Sequence, residues 1–279
     1  MTISIIGVGL IGGSLALSLK AKNPSLKVFG VDKNENNLKK ALKLGIIDEA
    51  LSLEEAMKSS KVLILSVPVD VIQVITPEIL DMTEDQVIID MGSTKESILN
   101  AVKNHPKRGR LVAAHPMAGT EYSGPEAAFS GLFTGKVMVY VEATKSDEDA
   151  FEIADQITEQ LEMKSTFMNA KEHDIHTAYV SHISHITSMA LALTVLGKEK
   201  SQGRIFELAG SGFESTVRLA KSSPDMWTPI FKQNRENVLE VLKEQIAQLQ
   251  QWQSVLENED YETLHKLIKK SNKIKRIIK

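Results

Sequence analysis

No cysteine occurs in the 279 residues, which excludes disulfides, thiolate metal sites and cysteine nucleophiles. Charge of one sign is not in excess either. The 33 Lys and Arg against 36 Asp and Glu leave a net charge of −3, so neither nucleic acid nor a membrane surface is expected as a partner. No uninterrupted apolar run approaches the roughly 18 residues of a membrane span. Repeats and low-complexity segments are missing, and proline is nearly absent after residue 169, where only Pro224 and Pro229 occur. What remains is a globular composition, 42% hydrophobic and 25% charged, over a length that suits two domains. The chain starts directly in a strand-like segment, so no leader peptide is read and a cytoplasmic location is expected.

That opening segment is the most specific local signal. The apolar run Thr2 to Ile6 leads into Gly7-Val8-Gly9-Leu10-Ile11-Gly12, and a helical pattern follows. In a Gly-x-Gly-x-x-Gly turn, Gly7 permits the tight turn and Gly9 lets a pyrophosphate approach the backbone. Gly12 lets the helix pack close to the strand, so its N-terminus faces the phosphates. A second strand, Lys27 to Asp32, ends in an acid twenty residues after Gly12. Such a carboxylate accepts the hydroxyls of an adenosine ribose and repels a 2′-phosphate, which predicts NAD rather than NADP. The expected cofactor residues are Gly7, Gly9, Leu10, Ile11, Gly12 and Asp32, with Ser66, Val67 and Pro68 at the end of the third aliphatic strand.

Strand-like runs 61–68, 86–91, 110–114 and 137–141 alternate with helical segments such as 12–22, 33–44 and 94–104. Near-continuous aliphatic strands suit a sheet covered by helices on both faces. The fold class expected is therefore α/β: a Rossmann-type, doubly wound sheet over 1–168, then an all-α dimerisation and substrate domain over 169–279. In 171–197, Tyr179, Ile183, Ile186, Ala190 and Leu193 recur at steps of four and three, predicting a buried stripe. Ser223-Pro224-Asp225 marks a helix start. One helix is predicted to run from there through Trp227, Val241, Leu249 and Trp252, and its apolar length predicts a homodimer.

Two loops at strand ends carry the chemistry. Gly92-Ser93-Thr94-Lys95 follows the 86–91 strand, and His115-Pro116-Met117-Ala118-Gly119-Thr120-Glu121 follows the 110–114 strand. A His held at a buried strand end is suited to taking a hydroxyl proton while hydride leaves to a nicotinamide. The same position also suits a His that merely caps the strand by hydrogen bonding. His173, His176, His182 and His185 are spaced closely enough on a helix to raise a metal site, but no recognised ligand spacing completes one, and no metal is expected.

These two loops, together with Ser181-His182-Ile183-Ser184-His185 and the segment Arg218 to Trp227, resemble the prephenate dehydrogenase family, which includes arogenate dehydrogenases. The four blocks span essentially the whole chain. The resemblance implies a cyclohexadienol substrate, prephenate or arogenate, that aromatises on losing hydride and carbon dioxide. It implies His115 as catalytic base, with Ser93 sharing the bond to the ring hydroxyl. Arg218 would anchor a substrate carboxylate, His185 would meet the side chain, and Thr120 and Glu121 would line the entrance. The chain departs from the family pattern at Glu214 and Ser215, where a basic and an acidic residue often precede the anchoring Arg. An extra acid there favours a side-chain ammonium, so the choice between the two substrates stays open.

Overall fold

Eight short strands pair into one sheet in the computed structural model, which describes residues 2–202 and 204–277. They are β1 (Thr2–Ile6), β2 (Lys27–Val31), β3 (Glu49–Ala50), β4 (Val62–Leu65), β5 (Val87–Asp90), β6 (Leu111–Pro116), β7 (Val137–Val141) and β8 (Lys164–Met168), in the order β3-β2-β1-β4-β5-β6-β7-β8. Pairing is parallel from β3 through β6 and reverses between β6 and β7; β8 then runs parallel to β7. The reversal and the two edge strands are not apparent from sequence. β3 has only two residues, and β8 lacks a buried side chain, so neither carries an apolar run.

Alternate residues of the central strands feed two cores. Ile3, Ile5, Ile64, Ile89, Val112 and Tyr140 lie on one face; Leu63, Leu65, Ile88, Leu111, Ala113 and Val139 lie on the other. This is the period-two alternation of a sheet covered on both sides. Each fully buried aliphatic side chain contributes about 1.5–3 kcal/mol. The covering helices are α1 (Leu10–Lys22), α2 (Glu35–Lys43), α3 (Leu53–Ser59), α4 (Val69–Met82), α5 (Glu96–Val102) and α6 (Glu148–Gln160). Caps set where they begin: Asn34 accepts the N–H of Asn36 at α2, and Ser52 with Glu55 forms a reciprocal capping box at α3.

Beyond β8 the chain is helical: α7 (Ala170–Thr177), α8 (Ile183–Gln202), α9 (Ser211–Val217), α10 (Pro224–Gln233), α11 (Arg235–Glu257) and α12 (Tyr261–Ser271). Ala170, Trp227 and Ile230 join the core on the second face of the sheet. Two compact units result, Met1–Asn234 and Arg235–Lys279.

Three expectations about these helices need correction. The long helix predicted from Pro224 is two helices, because it breaks at Asn234, whose side chain turns inward to donate to the carbonyl of Asp174 at 2.6 Å. The predicted buried stripe is mostly open in the single chain: Ile183 is buried, whereas Tyr179 is exposed and Leu193 is 69% exposed. A π-helical turn, Ala178–His182, separates α7 from α8 and shifts the phase between them. Within that turn His182 is buried and Ser181 only half-buried. Finally, Val241 is buried within the chain while Leu249 is 58% exposed, so only the second is free to face a partner.

The helical run Ala170–Lys198 is long and apolar enough by composition to cross a membrane. Its first turns nevertheless carry buried His173, Asp174 and His182, all hydrogen-bonded within the protein.

Candidate active site

The strand order reverses direction at β1 and β4, and the first glycine turn lies at that crossover. Gly7 has φ +97° and donates its N–H to the carbonyl of Val31 at 2.8 Å. A side chain there would be strained and would also meet the Ser66 backbone at 2.7 Å. A Cβ at Gly12 would fall 2.3 Å from the Gly7 carbonyl oxygen, so helix and strand pack as closely as the motif requires. At Gly9, which precedes α1, nothing lies within 4 Å of where a Cβ would stand, and no side chain caps the first turn. The helix end is thus left open to an anion. Leu10 and Ile11 pack into the core beneath it. Asp32, at the end of β2, is tied into this turn: its Oδ2 accepts the Val8 N–H at 3.2 Å and its Oδ1 accepts the Asn34 N–H at 2.8 Å. Ser66 Oγ donates to the Gly7 carbonyl at 2.8 Å, and half-buried Val67 and Pro68 follow it into α4. An open helix N-terminus beside a fixed carboxylate fits a pyrophosphate and an unphosphorylated ribose.

The β5–α5 loop is held by charge inside an apolar frame. Asp90 Oδ1 accepts the Gly92 N–H at 2.7 Å, and Asp90 Oδ2 pairs with Lys95 Nζ at 2.7 Å; both side chains are wholly buried. Burial pulls the Lys95 ammonium below its ordinary range, against the opposing pull of Asp90. From α7, Asp174 accepts the N–H groups of Lys95 and Glu96, one on each carboxylate oxygen, both at 2.9 Å. Thr94 Oγ1 donates to Gln233 Oε1 at 2.5 Å, and Gln233 donates in turn to the Val69 carbonyl and Gln73. Ser93, half-buried, lies in this braced loop.

His115 is the penultimate residue of β6 and is buried. Its Nδ1 lies 2.8 Å from His173 Nε2, and His173 Nδ1 lies 2.7 Å from Asp174 Oδ1. Burial, then the neighbouring His173 and Lys95, holds the His115 imidazole well below the usual 6.5. His173 is lowered by burial too, with Asp174 opposing. His182 is pushed down to about 4 by burial, and Asn234 Nδ2 contacts its Nδ1 at 3.1 Å. Three of the helical histidines turn to different partners. His173 faces His115, His182 packs edge-on against Trp227, and His185 stacks on Trp227 with ring centroids 3.5 Å apart. Trp227 itself is buried in the core.

At the exposed side, Arg218 Nη1 bonds Glu121 Oε2 at 2.5 Å. The turn that carries Arg218 is pinned to α8, where Ser188 Oγ accepts the Ala220 N–H at 3.1 Å. Thr120 Oγ1 accepts the Tyr122 N–H at 3.2 Å. His185 Nδ1 donates to the Ser181 carbonyl at 3.1 Å, which leaves its Nε2 available. Glu214 and Ser215 are exposed on α9, and Ser215 Oγ donates to the Gly212 carbonyl.

Sequence reasoning missed the bracing of the site: the Asp90–Lys95 pair, the His115–His173–Asp174 chain, Gln233 and Asn234. Only two signals pointed there, an adjacent His-Asp pair in an apolar helix and a Lys inside a strand-end loop.

A mostly parallel sheet with an open glycine turn at its crossover defines a nucleotide-binding protein, and an imidazole buried at a neighbouring strand end equips it for dehydrogenase chemistry. Residues 15–167 match the family model for the nucleotide-binding domain of prephenate dehydrogenase, and residues 169–270 match that for its dimerization domain. A prephenate dehydrogenase of Bacillus subtilis is 32% identical over 96% of this chain and 73% of its own length. The crystal structure of prephenate dehydrogenase from A. aeolicus, in complex with hydroxyphenyl propionate and NAD+, is 31% identical. It superposes with a TM-score of 0.88, covering 99% of this chain and 97% of that one. An arogenate dehydrogenase structure from Synechocystis is 25% identical, with a TM-score of 0.76 and 99% coverage of both chains. The chain belongs to the prephenate dehydrogenase family of NAD-dependent oxidoreductases.

Proposed function

We propose that the chain catalyses the NAD-dependent oxidative decarboxylation of prephenate to 4-hydroxyphenylpyruvate, a step toward tyrosine. The observation that carries this reading is His115, buried at the end of β6 with one ring nitrogen engaged and the imidazole held neutral. The open turn at Gly9 and the Asp32 carboxylate would hold NAD, which when bound would supply the hydride acceptor. Ser66, Val67 and Pro68 line the same end of the sheet. The remaining work falls to the chain's own side chains. His115 takes the ring hydroxyl proton, and Ser93 orients that hydroxyl. Arg218 exchanges its bond to Glu121 for a substrate carboxylate, where a planar guanidinium offers a bidentate fit. His185 meets the side chain through Nε2, while Thr120 and Glu121 line the entrance. Aromatisation on loss of carbon dioxide drives the reaction, so positioning and one proton transfer are what the protein must provide.

Residues 1–168 form the dinucleotide-binding part in this reading, and 169–279 the substrate and dimerisation part of a homodimer. The dimerization-domain match supports the assembly, as do the open apolar side chains of Leu193, Leu196 and Leu249. Arogenate is the second reading, favoured by Glu214, an exposed acid one turn before Arg218 that would attract a side-chain ammonium. Turnover measured with prephenate and arogenate, each against NAD and NADP, tests all of this. Prephenate with NAD should be the preferred pair. Activity with neither substrate would end the proposal, and equal efficiency with NADP would remove the role of Asp32.

A further inference from the structure

Three side chains in line, Asp174, His173 and His115, have no part in the reading above beyond the last of them. The direction of the protons between them follows from counting donors. Both carboxylate oxygens of Asp174 already accept main-chain N–H groups, from Lys95 and Glu96. The carboxylate is therefore an acceptor, and the contact at 2.7 Å requires His173 Nδ1 to be the donor. A neutral His173 protonated at Nδ1 has a bare Nε2. That bare nitrogen lies 2.8 Å from His115 Nδ1, which must then carry the proton shared between them. A neutral His115 protonated at Nδ1 has its lone pair on Nε2.

We infer that Asp174 and His173 are positioning residues that fix His115 as its Nδ1–H tautomer and so aim an unprotonated Nε2 at the substrate. The inference rests on the proposed role of His115 as base. Without the relay, the ring would place its proton on either nitrogen, and every molecule protonated at Nε2 would be unable to act. The same chain serves the step itself. As the substrate O–H bond breaks and the Nε2–H bond forms, His115 becomes an imidazolium. Its Nδ1–H remains a donor to His173, whose own Nδ1–H points to the Asp174 carboxylate. The new positive charge is thus met by an oriented acceptor, His173 Nε2, and beyond it by a fixed anion, with no heavy atom having to move. The other ionisable groups acting on His115 are Lys95, paired with Asp90, and His182. Burial keeps both His115 and His173 neutral beforehand, the state in which the relay has a single direction.

Nitrogen NMR of the full-length protein with ring-labelled histidine reads the tautomer directly, and a His115→Asn spectrum assigns the signal. The expected result is a His115 ring protonated at Nδ1 and bare at Nε2. A ring protonated at Nε2 in the substrate-free protein overturns the inference. Kinetics supply the second arm. His173→Gln keeps an acceptor oxygen near the place of Nε2, so its kcat should stay within about 10-fold of the parent. His173→Leu leaves His115 without an acceptor and should lower kcat by about 10² to 10⁴, the range of a lost or misdirected base, with KM little changed. Equal losses in the Gln and Leu variants would overturn the relay. Full turnover in His115→Asn would instead overturn the base assignment beneath it, whatever tautomer the spectrum shows.

Discussion

His182 makes the stability of this protein sensitive to acid in a way that can be worked out in advance. Asn234 Nδ2 contacts two acceptors, the Asp174 carbonyl at 2.6 Å and His182 Nδ1 at 3.1 Å. A proton on that ring nitrogen would set two donors face to face inside the protein. Consistent with this, burial lowers His182 from 6.5 to about 4. An unfolded His takes its proton near 6.5, so below that pH the unfolded chain binds more protons than the folded one and stability falls. The contribution is full above pH 6.5, declines as pH drops toward 4, and loses nothing further below that. The interval from 6.5 to 4 spans about 2.5 pH units, worth about 3 kcal/mol at about 1.4 kcal/mol per unit. His182→Asn keeps an acceptor near the place of Nδ1 but cannot be charged. Urea midpoints should be followed by tryptophan fluorescence between pH 8 and pH 4, at one fixed protein concentration. The variant should be less stable at pH 8, where it has lost packing, yet should lose about 3 kcal/mol less than the parent on acidification. Identical pH slopes in the two proteins would refute the reasoning.

Other outcomes follow from the same geometry. His115→Asn should retain NAD binding and lose about 10² to 10⁴ in turnover, measured by the absorbance of the reduced nicotinamide. Because the His115 pKa is depressed, kcat/KM of the parent should stay level as pH falls through 6.5 and decline only well below it; a midpoint at 6.5 would contradict this. Arg218→Ala should raise the substrate KM far more than it lowers kcat, and Arg218→Lys should recover only part of the loss, since an ammonium cannot form the fork. Leu249→Glu should shift the protein toward a monomer in light scattering, whereas a dimer of unchanged mass would exclude that face from the interface.

How much of this was visible in the sequence depended on how local the signal was. The glycine turn and Asp32 are a local code, because a turn with φ +97° at Gly7 admits no ordinary residue and the crossover needs close packing at Gly12. The central strands were visible because each is buried on both faces and so reads as an unbroken aliphatic run. β8 carries only exposed and half-buried side chains and leaves no such trace. The π turn at Ala178–His182 changes helical phase without changing composition, so the steps of three and four counted from Tyr179 through Ile183 do not hold across it. Asn234 looked like one more polar residue on a long helix, and its inward bond to Asp174 ends that helix. Lys95 stood out as a Lys in a strand-end loop, but nothing in the sequence marked Asp90, at the end of β5, as its partner in the interior.

That buried pair bears on what the polar network is for. Taking Lys95 and Asp90 out of water costs several kcal/mol per ion, and their attraction at 2.7 Å does no more than roughly offset this. A pair of well-packed apolar side chains would serve stability as well or better. What apolar residues could not do is fold the β5–α5 loop back on itself. Asp90 holds the Gly92 N–H with one oxygen and Lys95 with the other, so Ser93 lies between two fixed points. The main-chain N–H groups at Lys95 and Glu96 then hold Asp174, and Asp174 holds His173 against His115. One buried charge pair under β5 thus connects, bond by bond, to the orientation of a ring at the end of β6. The directional bonds give the site its geometry, and the apolar cores on both faces of the sheet supply the stability that lets a protein carry them.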